Sequence, residues 1–335
     1  MINRVAKIVE ERKIEIFEEE MPVLGDNQIL VKIQAIGICG SDLHYFRHCG
    51  LGSFKNPLPI HIGHEPAGTV VLSSSDKFKI GDRVAIEPGI NCGKCEYCNR
   101  GLHNLCSNTK FLGANDIGAF RDYIILEPER LFKIYDMPFE KAALLEPLGV
   151  ALHAVDRVHC ALDDEVAIFG SGTIGLCILS VLKKMGCKVT MFDPLTYRLH
   201  VAKFLRADEV HVNNENTKVD EFKNRFKVVF DAVGTQDSIS KCIKVVAPTG
   251  EVCIVGIPEI DDLVLNPHQM RVKELTITNS RRSNQKLDKA YRLYQKDQDI
   301  DAMITHRFPL DQIQHAFELA ADYKDSAVKI MIVNE

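Results

Sequence analysis

The chain has 335 residues, enough for two domains that each bury a full core at roughly 150 residues per domain. Hydrophobic residues make up 46% and charged residues 26%, and 21 Gly with 13 Pro are too few for a low-complexity or disordered chain. The 41 Lys plus Arg against 46 Asp plus Glu leave a formal charge of -5, so no basic excess exists to hold a phosphate backbone, and nucleic acid is excluded as an expected partner.

The longest apolar stretch, residues 166–182, is interrupted by Gly170, Ser171, Gly172, Thr173 and Gly175 and is too broken for a spanning helix, so no membrane anchor is expected. The opening Met1-Ile2-Asn3-Arg4-Val5 lacks the basic, apolar and small-residue succession of a secretory signal, and the cytoplasm is the expected location.

In chain order, residues 4–17 and 29–36 alternate apolar and polar positions, with Gly25-Asp26-Asn27 between them, and predict strands in a mostly β first part. From residue 165 short apolar runs alternate with helical stretches. Strands are predicted at 166–169, 188–192, 228–230, 251–255 and 275–278, and helices at 174–185, 195–205 and 238–246. That alternation predicts a parallel sheet with crossover helices, which six strands would complete as a doubly wound sheet. The tail offers amphipathic helices at 285–294 and 310–320 and an apolar run at 328–333, with no core of its own. It is expected to dock back on the first domain. The predicted division is a catalytic domain at 1–152, a nucleotide domain at 153–280 and a returning segment at 281–335.

Four of the eleven cysteines crowd into residues 92–106. Cys92, Cys95 and Cys98 are spaced by two residues and Cys106 follows, a set that can close around a tetrahedral Zn²⁺ in a structural role. Four ordinary buried cysteines are the plain alternative. An iron–sulfur cluster is the stronger rival, against which stand the absence of a proline after Cys106 and of a second cysteine group.

Gly170, Gly172 and Gly175 form a GxGxxG run that follows a predicted strand and opens a predicted helix, the context in which glycines admit a pyrophosphate to a helix N-terminus. The next strand leads to Asp193, 23 residues after Gly170, where an acid can accept hydrogen bonds from an adenosine ribose. A carboxylate there repels a 2'-phosphate, and Pro194 and Leu195 bring no positive charge, so NAD is preferred over NADP. Asp193 also reads as a helix cap, and both roles can coexist.

Upstream lie Cys39, Ser41, His44 and Tyr45 in one run, then Gly63-His64-Glu65, and far downstream Glu146-Pro147. A thiolate, an imidazole and carboxylates suit an open zinc site that keeps one position for water or substrate. Singly, Cys39 reads as a small core residue and His64-Glu65 as a capping or surface pair.

Taken together and in this order, these motifs resemble the zinc-dependent medium-chain dehydrogenases, and within them the sorbitol (polyol) dehydrogenase branch, over nearly the whole chain to residues 305–309. The resemblance implies an α/β fold: a GroES-like, mostly β catalytic domain plus a Rossmann doubly wound parallel-sheet domain. It implies two zinc ions per chain. One is structural, at Cys92, Cys95, Cys98 and Cys106. The other is catalytic, held by Cys39 and His64 with Glu65 and Glu146 as acidic members of its shell. Where the ethanol-oxidising branch has a cysteine this chain has Glu146, whose carboxylate is a harder ligand and suits a substrate with neighbouring hydroxyls.

By the same resemblance Ser41 and His44 relay the released proton, and Tyr45, Glu146 and Arg282 contact substrate. Gly170, Gly172, Ile174, Gly175, Asp193 and Arg198, with Val255, Gly256 and Ile257, are assigned to NAD. Ser283 replaces the branch's usual tyrosine and leaves room for a bulkier or differently charged substrate. Arg281, Arg282 and Lys286 read equally as a solvated face or as a receiver of substrate phosphate or carboxylate. The implied activity is hydride transfer from a secondary alcohol of a polyol, cyclitol or sugar derivative to NAD by a homo-oligomer, a dimer or tetramer. Alternatives are a threonine-type dehydrogenase of the same family and an NAD-binding relative without turnover.

Overall fold

The alternating segment at the start of the chain folds as a hairpin. Strands Ile2–Glu10 and Lys13–Glu20 pair antiparallel, with Arg12 in the left-handed region at φ 60°. A single strand through residues 4–17, as alternation predicts, is broken because residues 10–13 are all charged and exposed and have no apolar face to bury. The computed structural model describes residues 2–214, 219–297 and 299–334.

The chain forms two compact units. The first comprises Met1–Gly149, Asn284–Lys296 and Ile304–Glu335, and the second Val150–Ser283 and Asp297–Met303. The centre of the first unit is the strand Ile29–Gly37, in a seven-stranded sheet. It pairs antiparallel with Glu65–Ser73 along one side, and with Tyr123–Leu126 and Lys329–Val333 along the other. The C-terminal strand therefore completes the same sheet as the N-terminal ones, which is why the tail carries no separate core. Helix Ile313–Ala321 packs Phe317 against Phe46 and Phe120, with ring centroids 5.4 and 5.5 Å apart. Burying each such ring contributes about 1.5–3 kcal/mol.

The second unit is a six-stranded parallel sheet in the order Glu209–Val212, Lys188–Asp193, Glu165–Phe169, Phe226–Asp231, Val246–Ile254, Thr276–Asn279. Its first strand in sequence, Glu165–Phe169, sits between Lys188–Asp193 and Phe226–Asp231, so strand order reverses there and the carboxyl ends of these strands flank a crevice. The edge strand Glu209–Val212 has no counterpart among the predicted strands. Its four residues are half-buried to exposed, so it lacks the continuous apolar run that marks an interior strand. Phe169 and Phe192 stack at 4.6 Å beneath the crevice. Among the described residues no helix is long and apolar enough to cross a membrane.

Candidate active site and metal centres

The four sulfurs of Cys92, Cys95, Cys98 and Cys106 all lie within 4.8 Å of one another, with Cys92 and Cys106 3.5 Å apart. A tetrahedral ion at about 2.3 Å from each sulfur needs them about 3.8 Å apart. Backbone N–H groups of Lys94 and Cys95 aim at the Cys92 sulfur and hold its pKa down to about 6, and those of Cys98 and Ser107 lower that of Cys95. Burial, together with the neighbouring thiols, pushes Cys98 up to about 12. Four thiols this close cannot all ionise without a cation among them, and that chemistry fits a bound zinc.

The loop is closed from outside as well. Gly89–Ile90 pairs with Lys110–Phe111 at its base. Asn284 accepts from the N–H groups of His103 at 3.0 Å and Asn104 at 3.4 Å and donates to the Gly101 carbonyl at 2.9 Å.

Cys39 ends the loop after the central strand and precedes helix Gly40–His48, while His64 and Glu65 lead into the neighbouring strand Glu65–Ser73. Sheet register sets Gly37 opposite Glu65, which brings the two segments together. One ligand atom from each of Cys39, His64 and Glu65 lies within 4.8 Å of the others. His64 and Glu65 are buried, at 6% and 1% exposure. Burial works to lower the His64 pKa, but Asp42 and Cys39 overcome it and hold the imidazole well above its usual value. The His64 ring also rests 5.6 Å from that of Phe111, at the end of the cysteine loop.

Glu146 lies outside that triplet, in the first turn of helix Leu145–Val155, and is buried at 6% exposure. Burial raises its carboxyl pKa to about 8; His64 and Lys329 pull it down while Glu65 and Glu87 push it up. Burial likewise raises Glu87 to about 7. Several acidic groups and a thiol crowded in an apolar surrounding fit a cation, and a thiol–imidazole–carboxylate set fits zinc with room for an oxygen ligand.

Ser41, His44 and Tyr45 share helix Gly40–His48, Ser41 and His44 half-buried and three residues apart on one face. Tyr45 is buried within the core cluster of the first unit. Arg282 is half-buried with φ 59°, Ser283 is buried, and Arg281 is exposed.

In the second unit Gly170 adopts φ 97° at the end of Glu165–Phe169, a conformation that favours glycine, and helix Thr173–Lys184 begins after Gly172. A Cβ on Gly175 would overlap the Gly170 carbonyl, so helix and turn pack only with glycine there. At Gly172 a Cβ would meet no atom nearer than Arg198 Nη1 at 3.8 Å, which leaves space over the helix N-terminus. The Ser171 hydroxyl beside it is buried without a hydrogen-bond partner.

Asp193 is 2% exposed; its Oδ2 accepts from Ser171 N–H at 2.6 Å and its Oδ1 from Leu195 N–H at 2.8 Å, with Arg198 Nη1 at 4.0 Å. Each oxygen keeps a second lone pair for a ribose hydroxyl. The cap of helix Thr196–Phe204 is Leu195, so Asp193 supports that helix one step removed. Ile174 is half-exposed, unlike the fully buried run that follows it, and Val255 and Gly256 are half-buried with Ile257 40% exposed. An open helix N-terminus, an orphaned hydroxyl and a buried acid at the strand ends fit a dinucleotide.

Residue-type reasoning missed three contributors. Asp42 ties Cys39 to His64, Lys329 pairs with Glu65, and Asn284 clamps the cysteine loop. Asp42 could have been found, since an acid three residues after a helix start is a capping signature.

Comparison with known proteins agrees with this architecture. The alcohol dehydrogenase GroES-like domain matches residues 25–136 and the zinc-binding dehydrogenase family matches residues 173–296. The chain is 33% identical to sorbitol dehydrogenase of Bacillus subtilis (strain 168), over 96% of this chain and 94% of that protein. It is 31% identical to L-threonine 3-dehydrogenase of Yersinia pestis, over 98% of each. A solved Escherichia coli oxidoreductase/dehydrogenase of unknown specificity superposes with a TM-score of 0.92 at 30% identity, over 99% of each chain. The chain belongs to the zinc-dependent medium-chain dehydrogenases, on their polyol-dehydrogenase-like branch, and is an oxidoreductase of that family.

Proposed function

We propose that the protein transfers a hydride from a secondary alcohol of a polyol, cyclitol or related sugar derivative to NAD, with one catalytic and one structural zinc. The observation that carries this reading is the convergence of Cys39, His64 and Glu65, with Glu146 buried in the first turn of helix Leu145–Val155. By family resemblance Glu146 stands where the ethanol-oxidising branch has a thiolate. Bound zinc would acidify the substrate hydroxyl toward neutrality, and bound NAD would accept the hydride.

Cys39 and His64 hold the catalytic metal with Glu65 and Glu146 as the acidic members of its shell, one bound and the other held through water or exchanging with it, and Cys92, Cys95, Cys98 and Cys106 hold the second one. Glu146 accepts a hydrogen bond from a neighbouring substrate hydroxyl when ionised. Ser41 and His44 relay the released proton, from the substrate oxygen through the serine and the cofactor ribose to the histidine. Tyr45 and Arg282 are substrate contacts by family pattern. Gly170, Gly172 and Gly175 admit the pyrophosphate, with Ile174, Arg198, Val255, Gly256 and Ile257 around the cofactor. Asp193 takes the ribose hydroxyls and disfavours a 2'-phosphate, which supports NAD over NADP. A homo-oligomer, a dimer or tetramer, follows from family habit.

The relative acting on L-threonine makes a β-hydroxy amino acid the second reading, and the small Ser283 is compatible with it. The test is a panel of polyols, cyclitols, sugar phosphates and L-threonine with NAD or NADP, read by the absorbance of the reduced nicotinamide, alongside zinc per chain. NAD-linked turnover on a polyol class with both metal sites filled supports the proposal. Turnover on L-threonine alone replaces it with the second reading.

A further inference from the structure

Lys329 opens the last strand, Lys329–Val333, and its side chain is wholly buried. Its ammonium donates to Glu65 Oε2 and, at 2.9 Å, to the carbonyl of Ile38. The two charged residues come from strands on opposite sides of Ile29–Gly37, since Gly37 pairs with Glu65 on one side and with Met331 on the other. They meet across Gly37. A Cβ at position 37 would overlap Glu65 Oε2 and lie 2.6 Å from Lys329 Cε and 2.8 Å from its Nζ. Glycine alone leaves that passage open.

The second partner, the Ile38 carbonyl, belongs to the residue before Cys39. A single ammonium thus grips the carboxylate of one member of the triplet and the backbone next to another. A carboxylate that is 1% exposed cannot shed this partner to water, so its orientation is set by Lys329 before any ligand arrives.

We propose that Lys329 is a positioning residue for the metal-binding triplet: acting across Gly37 on Glu65 and on the Ile38 carbonyl, it presets the arrangement in which Cys39, His64 and Glu65 take a metal. The proposal rests on the metal reading given above. Partners that orient a metal's ligands are typically worth 10–100-fold in metal affinity, the size of effect to look for.

The test loads the metal-free full chain with cobalt(II) and titrates it with a chelator, reading the ligand-field and thiolate charge-transfer bands. The four-cysteine loop gives a sulfur-only spectrum and serves as an internal reference. Lys329→Met is expected to weaken the mixed-ligand site about 10–100-fold and leave the loop site unchanged. Gly37→Ala, which keeps both charged side chains but blocks their path, should shift the same site in the same direction. Lys273→Met, a buried lysine of the second unit, should move neither. If Lys329→Met does not fold, Lys329→Arg, which keeps the charge but exceeds the clearance at Gly37, reads the same loss.

Two metals bound as tightly in Lys329→Met as in wild type, or an equal weakening of both sites, overturns the positioning role alone. A wild-type chain that takes a single cobalt with a sulfur-only spectrum overturns the metal reading of the triplet, and the role of Lys329 with it.

Discussion

Asp42 Oδ1 lies 3.6 Å from His64 Nδ1 and accepts the Gly63 N–H at 3.1 Å, while Oδ2 accepts the Cys39 N–H at 3.0 Å. One fully buried carboxylate therefore ties the segment carrying the thiol to the segment carrying the imidazole. It also favours imidazolium, so in the metal-free chain the His64 pKa lies well above its usual value. The stability this raised pKa contributes is full below the unfolded value of about 6.5 and is lost as pH rises through the folded pKa. A metal displaces that proton, so metal uptake should strengthen as pH rises through the same range. Asp42→Ala is expected to move the uptake midpoint to lower pH and to lower the limiting affinity about 10–100-fold. A chelator competition series across roughly pH 6 to 9 measures both. Unchanged midpoint and affinity would reduce Asp42 to a helix cap.

The cysteine loop should act on stability rather than on chemistry. Its sulfurs converge around a common centre, its ends are held by the pairing of Gly89–Ile90 with Lys110–Phe111, and residues 101–104 within it are held by Asn284. A ligand present at a thousand times its dissociation constant stabilises by about 4 kcal/mol. At about 2–4 °C per kcal/mol for a unit of this size, Cys106→Ser should lower the melting temperature by roughly 8–16 °C. Total zinc should fall by one per chain, and the metal at Cys39 and His64 should stay. Calorimetry with metal analysis checks this. Loss of both metals at an unchanged melting temperature would contradict it.

The proposed preference for NAD rests on Asp193, buried and engaged with the N–H groups of Ser171 and Leu195. Asp193→Asn keeps the shape and removes the charge that repels a 2'-phosphate. The ratio of kcat/KM for NAD to that for NADP should drop at least about tenfold, or about 1.4 kcal/mol, chiefly through a higher KM for NAD. Arg198, 4.0 Å from the same carboxylate, is the group that would then face the phosphate. An unchanged ratio would assign discrimination elsewhere.

The glycine turn, Asp193 and the four cysteines were legible because their spacing alone brings them together. A strand feeding a helix fixes the first two, and a short loop fixes the third. Cys39, His64 and Glu65 are 25 and 26 positions apart in sequence and meet only through the register of Ile29–Gly37 on Glu65–Ser73, so the residues alone left them ambiguous until a family resemblance joined them. Lys329 was not legible at all. A lysine at the head of an apolar run reads as a solvated strand end, and only the sheet order, which sets that strand beside the central one, turns it inward to Glu65. The Glu209–Val212 strand escaped for the opposite reason, since an edge needs little hydrophobicity to pair.

Lys273 shows a buried lysine put to a purely structural use, and it supplies a prediction that separates fold from site. Its ammonium donates to the carbonyls of Ile243, Lys244 and Val246 at 2.8, 2.9 and 2.7 Å. These carbonyls close helix Gln236–Val245, whose last turn has no further N–H groups of its own to offer and carries the negative end of the helix dipole. Lys273→Met keeps the aliphatic stem in place and removes the charge-assisted bonds, leaving buried acceptors unpaired. The loss should be roughly 2–4 kcal/mol, less than three charge-assisted bonds summed singly because the variant also escapes the cost of burying the ammonium. For a unit of this size that corresponds to a melting temperature lower by about 4–16 °C. Zinc content and the KM for substrate should remain as in wild type, because the contacts are confined to the ends of Gln236–Val245 and Pro267–Lys273. A variant that melts like wild type would mean that water replaces the ammonium at the helix end without cost. One that loses zinc would mean that Lys273 does more than close this helix.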